Sequence, residues 1–247
     1  MDLYFGCSQW GYESWRGSLY PANAGSSDFL RYYSRMFNSV ELNSTYHNGA
    51  DPSALLRWKN KVKPGFRFCP KVTKTISHEK KLKSIDEDLR SFLYGVNVLG
   101  ENLGVIFLQL NNYFGEPDID RLKTFLGIIP DEFMISVEIR ISQMQDVVLT
   151  DLILSVLKEH KAGVVITDSI ESREYINNIR LTNHNAFIRF IAYGHETDYS
   201  RIDEWFIQIE RWSEKGLPTA YFFLHFPLEL HDTGLVEYFL KKSEPFK

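Results

Sequence analysis

The feature that most restricts this chain is an end-to-end alternation of short apolar runs with segments of helical period. The runs that read as strands are Leu3–Ser8, Ser39–Asn43, Arg67–Val72, Gly104–Leu110, Phe133–Arg140, Gly163–Thr167, Phe187–Ile191 and Thr219–His225. Between them, Phe29, Tyr33, Met36 and Phe37 make one helical stripe, entered at Ser26, Ser27 or Asp28. Leu89, Phe92, Leu93 and Val96 make a second, behind a Ser84–Glu87 capping box and ahead of a Gly100 stop. Ile119 to Ile129 repeat the pattern; a further helix is expected from Thr150 through Leu157, and another through Ile202, Phe206 and Ile209 to Gly216. Strands apolar on both faces imply a parallel sheet covered by helices. Eight such runs in 247 residues predict an α/β fold, a single closed (β/α)8 TIM-like barrel occupying residues 1–247 as one domain. No glycine-rich nucleotide fingerprint follows the first run, whose loop is long and aromatic.

Charge and cysteine usage narrow the setting. A formal net charge of −4 argues against a generally basic nucleic-acid binder, while leaving room for a local basic groove. Cys7 and Cys69 fall inside strand runs and read as reduced core thiols. The start MDLYFG lacks the basic-then-apolar pattern of a signal peptide. No apolar run approaches the roughly 20 residues that span a bilayer. The expectation is a cytoplasmic protein with no membrane partner.

Function is best sought where charges interrupt the strands. In FMISVEIR, alternation puts Glu138 and Arg140 on one face and Val137 and Ile139 on the other. Glu41 and Asn43 share a face in SVELN, and Lys71, Gln109, Asp168, Arg189 and His225 stand at or just beyond strand ends. Ser8 and Trp10 join them from the first strand. An ion buried in a strand costs several kcal/mol unless it is paired or used. In a barrel, function gathers at the carboxyl ends of the strands. Glu138–Arg140 and Glu41–Arg189 are therefore read either as structural ion pairs or as ligand contacts.

Several segments together resemble a known family. GCSQWGYESWRGSLYP carries Gly6, Ser8, Trp10, Tyr12, Trp15, Gly17, Tyr20 and Pro21; VELNSTYH carries Glu41, Asn43, Ser44, Thr45 and Tyr46. FRFCPKVTKTISH supplies Lys71 and His78, GVIFLQL supplies Gln109, VEIR supplies Glu138 and Arg140, and FIRF supplies Arg189. The chain thus resembles the YecE-like family, domain of unknown function 72. That resemblance implies a TIM-like barrel without implying an established reaction. Ile141 and Ile191 stand where relatives carry histidine, and Asn111 and Asn112 stand where they carry two prolines.

The resulting expectation is an enzyme of hydrolase or isomerase type, acting on a small anionic or sugar-like substrate at the carboxyl-end mouth. Glu138 is assigned as base, Lys71 as electrostatic partner of developing charge, and Arg140 and Arg189 as an anion clamp. Glu41, Asn43, Tyr46, Trp10, Ser8, Gln109, His78 and Asp168 complete the expected site, with Trp10, Tyr12, Trp15 and Tyr46 as an aromatic wall. No cofactor is evident. A divalent metal on His78, Glu138, Asp168 and His225 is an alternative without supporting motif spacing. A nucleic-acid-binding or endonuclease-like barrel using Arg16, Lys71, Lys74, Lys80 and Lys81 is the competing class. The third reading is a barrel that has lost its chemistry.

Overall fold

The computed structural model describes residues 1–176, 180–226 and 233–246. Within them each expected strand run overlaps a strand: β1 (Asp2–Cys7), β2 (Ser39–Leu42), β3 (Arg67–Pro70), β4 (Ile106–Gln109), β5 (Ile135–Glu138), β6 (Gly163–Asp168), β7 (Asn185–Ile191) and β8 (Thr219–His225). All their pairings are parallel. One six-stranded sheet runs in the order β1-β8-β7-β6-β5-β4, and β2 and β3 form a separate pair.

The closed eight-stranded ladder expected from the sequence is not what the backbone hydrogen bonds give, because side chains take over at one junction. Between β1 and β2, the Asn38 amide accepts from Phe5 N at 2.7 Å and donates to Leu3 O at 2.9 Å. The Tyr33 hydroxyl accepts from Cys7 N at 2.6 Å and donates to Ser39 O at 2.9 Å. Gly6 permits this approach: a Cβ there would lie 2.0 Å from Ser39 O. Between β3 and β4 the backbone makes isolated contacts, Gly104 N to Phe68 O at 2.7 Å and Val72 N to Phe107 O at 2.9 Å.

Alternation along these strands sorts the core into layers. Cys69, Val105, Phe107, Val165, Phe187, Tyr221 and Phe223 pack on one another with Tyr4 at their edge. The opposite strand faces, among them Leu3, Phe5, Val40, Leu108, Val137, Ile166, Ile188 and Phe222, pack with the apolar sides of the helices. Both free cysteines are buried, and burial pushes the Cys69 thiol up to about 12.

The helices are α1 (Phe29–Met36), α2 (Ser44–Asn48), α3 (Pro52–Lys59), α4 (Asp86–Asn97), α5 (Ile119–Gly127), α6 (Ile141–Met144), α7 (Val147–Glu159), α8 (Thr197–Glu214) and α9 (Thr233–Ser243). Two expected starts are corrected. Ser84 does not cap α4: it sits at φ 47°, and Ile85 takes the cap position without a side-chain bond. A Lys80–Asp88 ion pair at 2.5 Å ties that turn instead. α7 begins before Thr150, because the Asp146 carboxylate accepts from Leu149 N at 3.0 Å and caps it. Gly216, at φ 85°, follows α8 as expected. No helix among the described residues is long and apolar enough to cross a membrane.

Candidate functional site

Two positions beyond the dry inner layer, every strand turns polar. Cys69 is followed by Lys71, Phe107 by Gln109, Ser136 by Glu138, Val165 by Thr167, Phe187 by Arg189, Phe223 by His225, Ser39 by Glu41 and Gly6 by Ser8. These side chains lie at the carboxyl ends of the parallel strands, and hydrogen bonds tie most of them together.

The centre is Arg189, buried between two buried carboxylates. Its Nε donates to Glu41 Oε2 at 2.9 Å and its Nη2 to Glu41 Oε1 at 3.1 Å, a two-point grip. Its Nη1 donates to Glu138 Oε2 at 2.8 Å. Glu41 also accepts from Asn43 Nδ2 at 2.9 Å and stands 2.9 Å from His225 Nε2. A carboxylate only accepts, so His225 carries its proton on Nε2. Glu138 further accepts from Gln109 Nε2 at 2.7 Å and Thr167 Oγ1 at 3.0 Å, with Arg140 Nη1 3.5 Å away.

Proton affinities follow from this packing. Burial alone would raise both carboxyls. Arg189 and His225 nevertheless hold Glu41 well below the usual carboxylate range, and Arg189, Lys71 and Arg140 hold Glu138 below it. Burial lowers His225 against the pull of Glu41. Arg189 is raised by its two carboxylates despite burial.

The rim above this network is more open. Lys71 Nζ donates to Gln109 Oε1 at 3.1 Å and lies 4.3 Å from the Tyr46 ring centroid. Gln109 is thereby fixed with its amide nitrogen on Glu138 and its oxygen on Lys71. The His78 ring meets Tyr46 edge to face at 5.5 Å. Ser77 Oγ donates to Thr73 O at 2.9 Å and lies 2.8 Å from His78 Nδ1. A hydroxyl has one proton to give, so Nδ1 donates to Ser77, and the neutral ring keeps its lone pair on Nε2. Burial lowers the pKa of His78, with Lys71, Arg140 and Lys74 adding to the effect. Arg140, just past β5, keeps 37% of its side chain exposed and donates from Nε to Asn112 Oδ1 at 3.1 Å.

The expected set is thus largely brought together, with clear exceptions. Asp168 points the other way. It takes Arg173 at 2.7 Å, Arg201 at 2.9 Å and Trp205 Nε1 at 2.7 Å, on the face packed against α8. Thr167, its neighbour on the opposite strand face, is the β6 residue that reaches Glu138. Trp15 and Tyr12 are stacked at 4.4 Å within the core and make no wall. Trp10 packs edge to face on Trp58 at 5.1 Å, and with Ser8, Glu41, Asn43 and His47 they line a cleft of about 340 Å³. Thr167 and Trp58 escaped the sequence reading, and Asn112 entered it only as a departure from the family pattern, since none falls in an apolar run as a charge. Among the described residues no group of three or more His, Cys, Asp or Glu side chains is placed to hold a metal ion. His225 lies on Glu41 and Asp168 faces α8, so the four metal candidates do not converge. Three of the five cations of the competing reading have acidic neighbours: Arg16 lies 2.9 Å from Glu13, Lys74 3.5 Å from Glu79 and Lys80 2.5 Å from Asp88.

Comparison with known proteins agrees with the opening resemblance. The sequence pattern of the family described as Protein of unknown function DUF72 matches residues 4–245. The chain is 28% identical over 245 residues to the UPF0759 protein YecE of Escherichia coli, strains K12 and O157:H7, covering 91% of this chain and 86% of theirs. A DUF72 family protein from Thermotoga maritima superposes with a TM-score of 0.77 at 21% identity, over 99% of both chains. One from Enterococcus faecalis gives 0.74 at 17% identity, over 99% of this chain and 97% of the other. The chain belongs to the DUF72 family.

Proposed function

For this DUF72 family member we propose an enzyme that binds a small anionic, sugar-like substrate at the carboxyl ends of its strands and acts on it by acid–base chemistry. The strands are read as the staves of one TIM-type barrel over residues 1–247, with Asn38 and Tyr33 closing the β1–β2 seam. The carrying observation is a charge surplus: the carboxylates Glu41 and Glu138 face three cations, Arg189, Arg140 and Lys71. One positive charge is left for a ligand, and it lies on the open side, where Lys71, Arg140 and His78 approach one another.

The roles divide by what each group has left to offer. Glu138 is saturated with donors and held ionised, which makes it a poor base; it orients Arg189 and Gln109. His78 Nε2 has no hydrogen-bond partner among the described residues, and its lowered pKa leaves it neutral at pH 7, so it takes over as base. Arg140 and Lys71 receive the anion, and the Trp10–Trp58 cleft takes the sugar-like part. The acidic partners of Arg16, Lys74 and Lys80 favour a small anion over a nucleic-acid backbone. Two buried free thiols suit a reducing, cytoplasmic setting.

Calorimetric titration with inorganic phosphate tests this reading. A charge-assisted hydrogen bond contributes about 1.5–3 kcal/mol, so Arg140→Ala is expected to weaken binding roughly 10- to 100-fold. An anion favours protonated His78, whose free pKa lies below the usual histidine value. The affinity for sulfate, a dianion throughout this range, should therefore rise as pH falls from 7.5 toward 5.5. Equal affinity in the native protein and the variant would sink the proposal. Binding confined to oligonucleotides, with a steep salt dependence, would favour the nucleic-acid reading. No binding of either would favour a barrel without chemistry.

A further inference from the structure

Every buried charged side chain among the described residues except one is in direct ion-pair contact with an opposite charge. Glu41 and Glu138 have Arg189 at 2.9 and 2.8 Å, while Asp168 and Asp198 have Arg201 at 2.9 and 2.8 Å. The exception is Lys71. It is 7% exposed, yet its nearest acceptor is the neutral Gln109 amide, and an aromatic face fills the other side. Lysine is rarely buried unless paired, because the lost hydration of an ammonium is not returned. Nothing in the packing of β3 requires an ammonium here. Glu138 alone holds the Gln109 amide nitrogen, and a methionine would fill the space over Tyr46.

From this placement we infer that Lys71 is a covalent catalyst, its Nζ forming an imine with the carbonyl group of a substrate that also carries a phosphate or carboxylate. The inference deepens the anionic-substrate reading and rests on it. An anion bound at Arg140, whose charge acts on Lys71, would direct the carbonyl end of a short substrate toward Nζ. Burial lowers the proton affinity of Nζ, so more of it is the nucleophilic free amine near neutrality. In the step itself the nitrogen lone pair forms the C–N bond while the carbonyl π pair moves to oxygen, which takes a proton. The nitrogen then loses a proton, the oxygen takes a second one, and the nitrogen lone pair expels water to leave a protonated imine, which becomes the neutral imine on giving up that proton. Amine and carbonyl become imine and one water; hydrolysis reverses the step. A protonated imine withdraws electrons from the adjacent carbon, as an isomerisation or carbon–carbon cleavage requires.

The experiment is reductive trapping on the folded full-length protein. Dihydroxyacetone phosphate or pyruvate is the probe, sodium borohydride supplies hydride, and peptide mass mapping reads the site. The expected result is a mass gain of the probe less one oxygen atom on the peptide containing Lys71, blocked by excess inorganic phosphate. Lys71→Arg keeps the charge, cannot form an imine, and should lose that adduct. Absence of the adduct from native protein that binds phosphate would overturn the covalent role and leave the anion site standing. Adducts on Lys74 or Lys80 at the level seen on Lys71, unaffected by phosphate, would mark adventitious imines and overturn it as well. Neither adduct nor phosphate binding would remove both readings.

Discussion

Replacing Arg189 by methionine removes the one cation that bridges Glu41 and Glu138, and it separates two accounts of the centre. If the three groups are a built network, the variant strands two buried carboxylates. Breaking a buried pair from one side costs about 3–5 kcal/mol. The loss here is not twice that, because Glu41 keeps Asn43 and His225, and Glu138 keeps Gln109 and Thr167. A total near 4 kcal/mol follows, which for a chain of this length lowers the thermal midpoint by about 8–16 °C. The pH dependence supplies a second check. In the native protein the folded-state pKa values of Glu41 and Glu138 are depressed. Their contribution is therefore present above the unfolded carboxylate value and lost as pH falls below it. In Arg189→Met, burial without the guanidinium raises those pKa values, so the penalty is largest at high pH and shrinks on acidification. Urea unfolding at pH 7.5 and pH 5 should thus show the gap between the two proteins narrowing at the lower pH. A midpoint within about 2 °C of native, or a gap that does not narrow, would refute the claim that Arg189 neutralises both carboxylates.

Two further substitutions examine parts of the frame. Asn38→Ala removes the hydrogen bonds to Phe5 N and Leu3 O at the β1–β2 seam. Loss of two hydrogen bonds predicts a cost of about 1–3 kcal/mol by urea unfolding, and a change under about 0.5 kcal/mol would mean that the seam closes by other means. Asp168→Asn weakens the cluster with Arg173, Arg201 and Trp205 and is expected to cost about 3 kcal/mol. Its phosphate affinity should match the native value, since Asp168 faces α8; a marked loss of affinity would return Asp168 to the site.

How much of this could be read from the chain depended on whether local rules decided the outcome. The strands were legible because both faces are apolar over several residues, and the alternation of Glu41 with Asn43 placed two partners correctly on one face. The Glu41–Arg189 pair, though 148 residues apart, was anticipated because each sits at a strand end. Asp168 was misplaced because GVVIT is apolar at every position before Thr167, so alternation gave no sign of which face was inner. Asn38 and Tyr33 read as loop and helix residues. Their use as substitutes for a ladder depends on contacts 26 to 35 residues away, which no local pattern encodes. The starts of α4 and α7 shifted for a milder reason: Ser84 and Thr150 suit helix starts by type, but Lys80–Asp88 and Asp146 bind those turns more strongly.

The site itself separates into a floor that is electrically fixed and a rim that is not, and this division bears on where the proposed chemistry would take place. Glu41 and Glu138 are held ionised by Arg189, and His225 is held toward its neutral form by burial, so the floor changes charge little near neutrality. A group that exchanges protons in each turnover needs a pKa close to the working pH and a free lone pair. On the rim, His78 supplies the lone pair: Ser77 ties up Nδ1, and Nε2 has no hydrogen-bond partner among the described residues. Lys71 approaches that requirement from the other side, an amine whose proton is loosened by burial. The floor carboxylates, which first suggest a base, instead keep Arg189 and Gln109 fixed, and through Gln109 they set the position of the Lys71 nitrogen. A pH–activity profile for any substrate found should therefore report His78 and Lys71, and Glu138→Gln should move the Lys71 limb rather than abolish the acidic one.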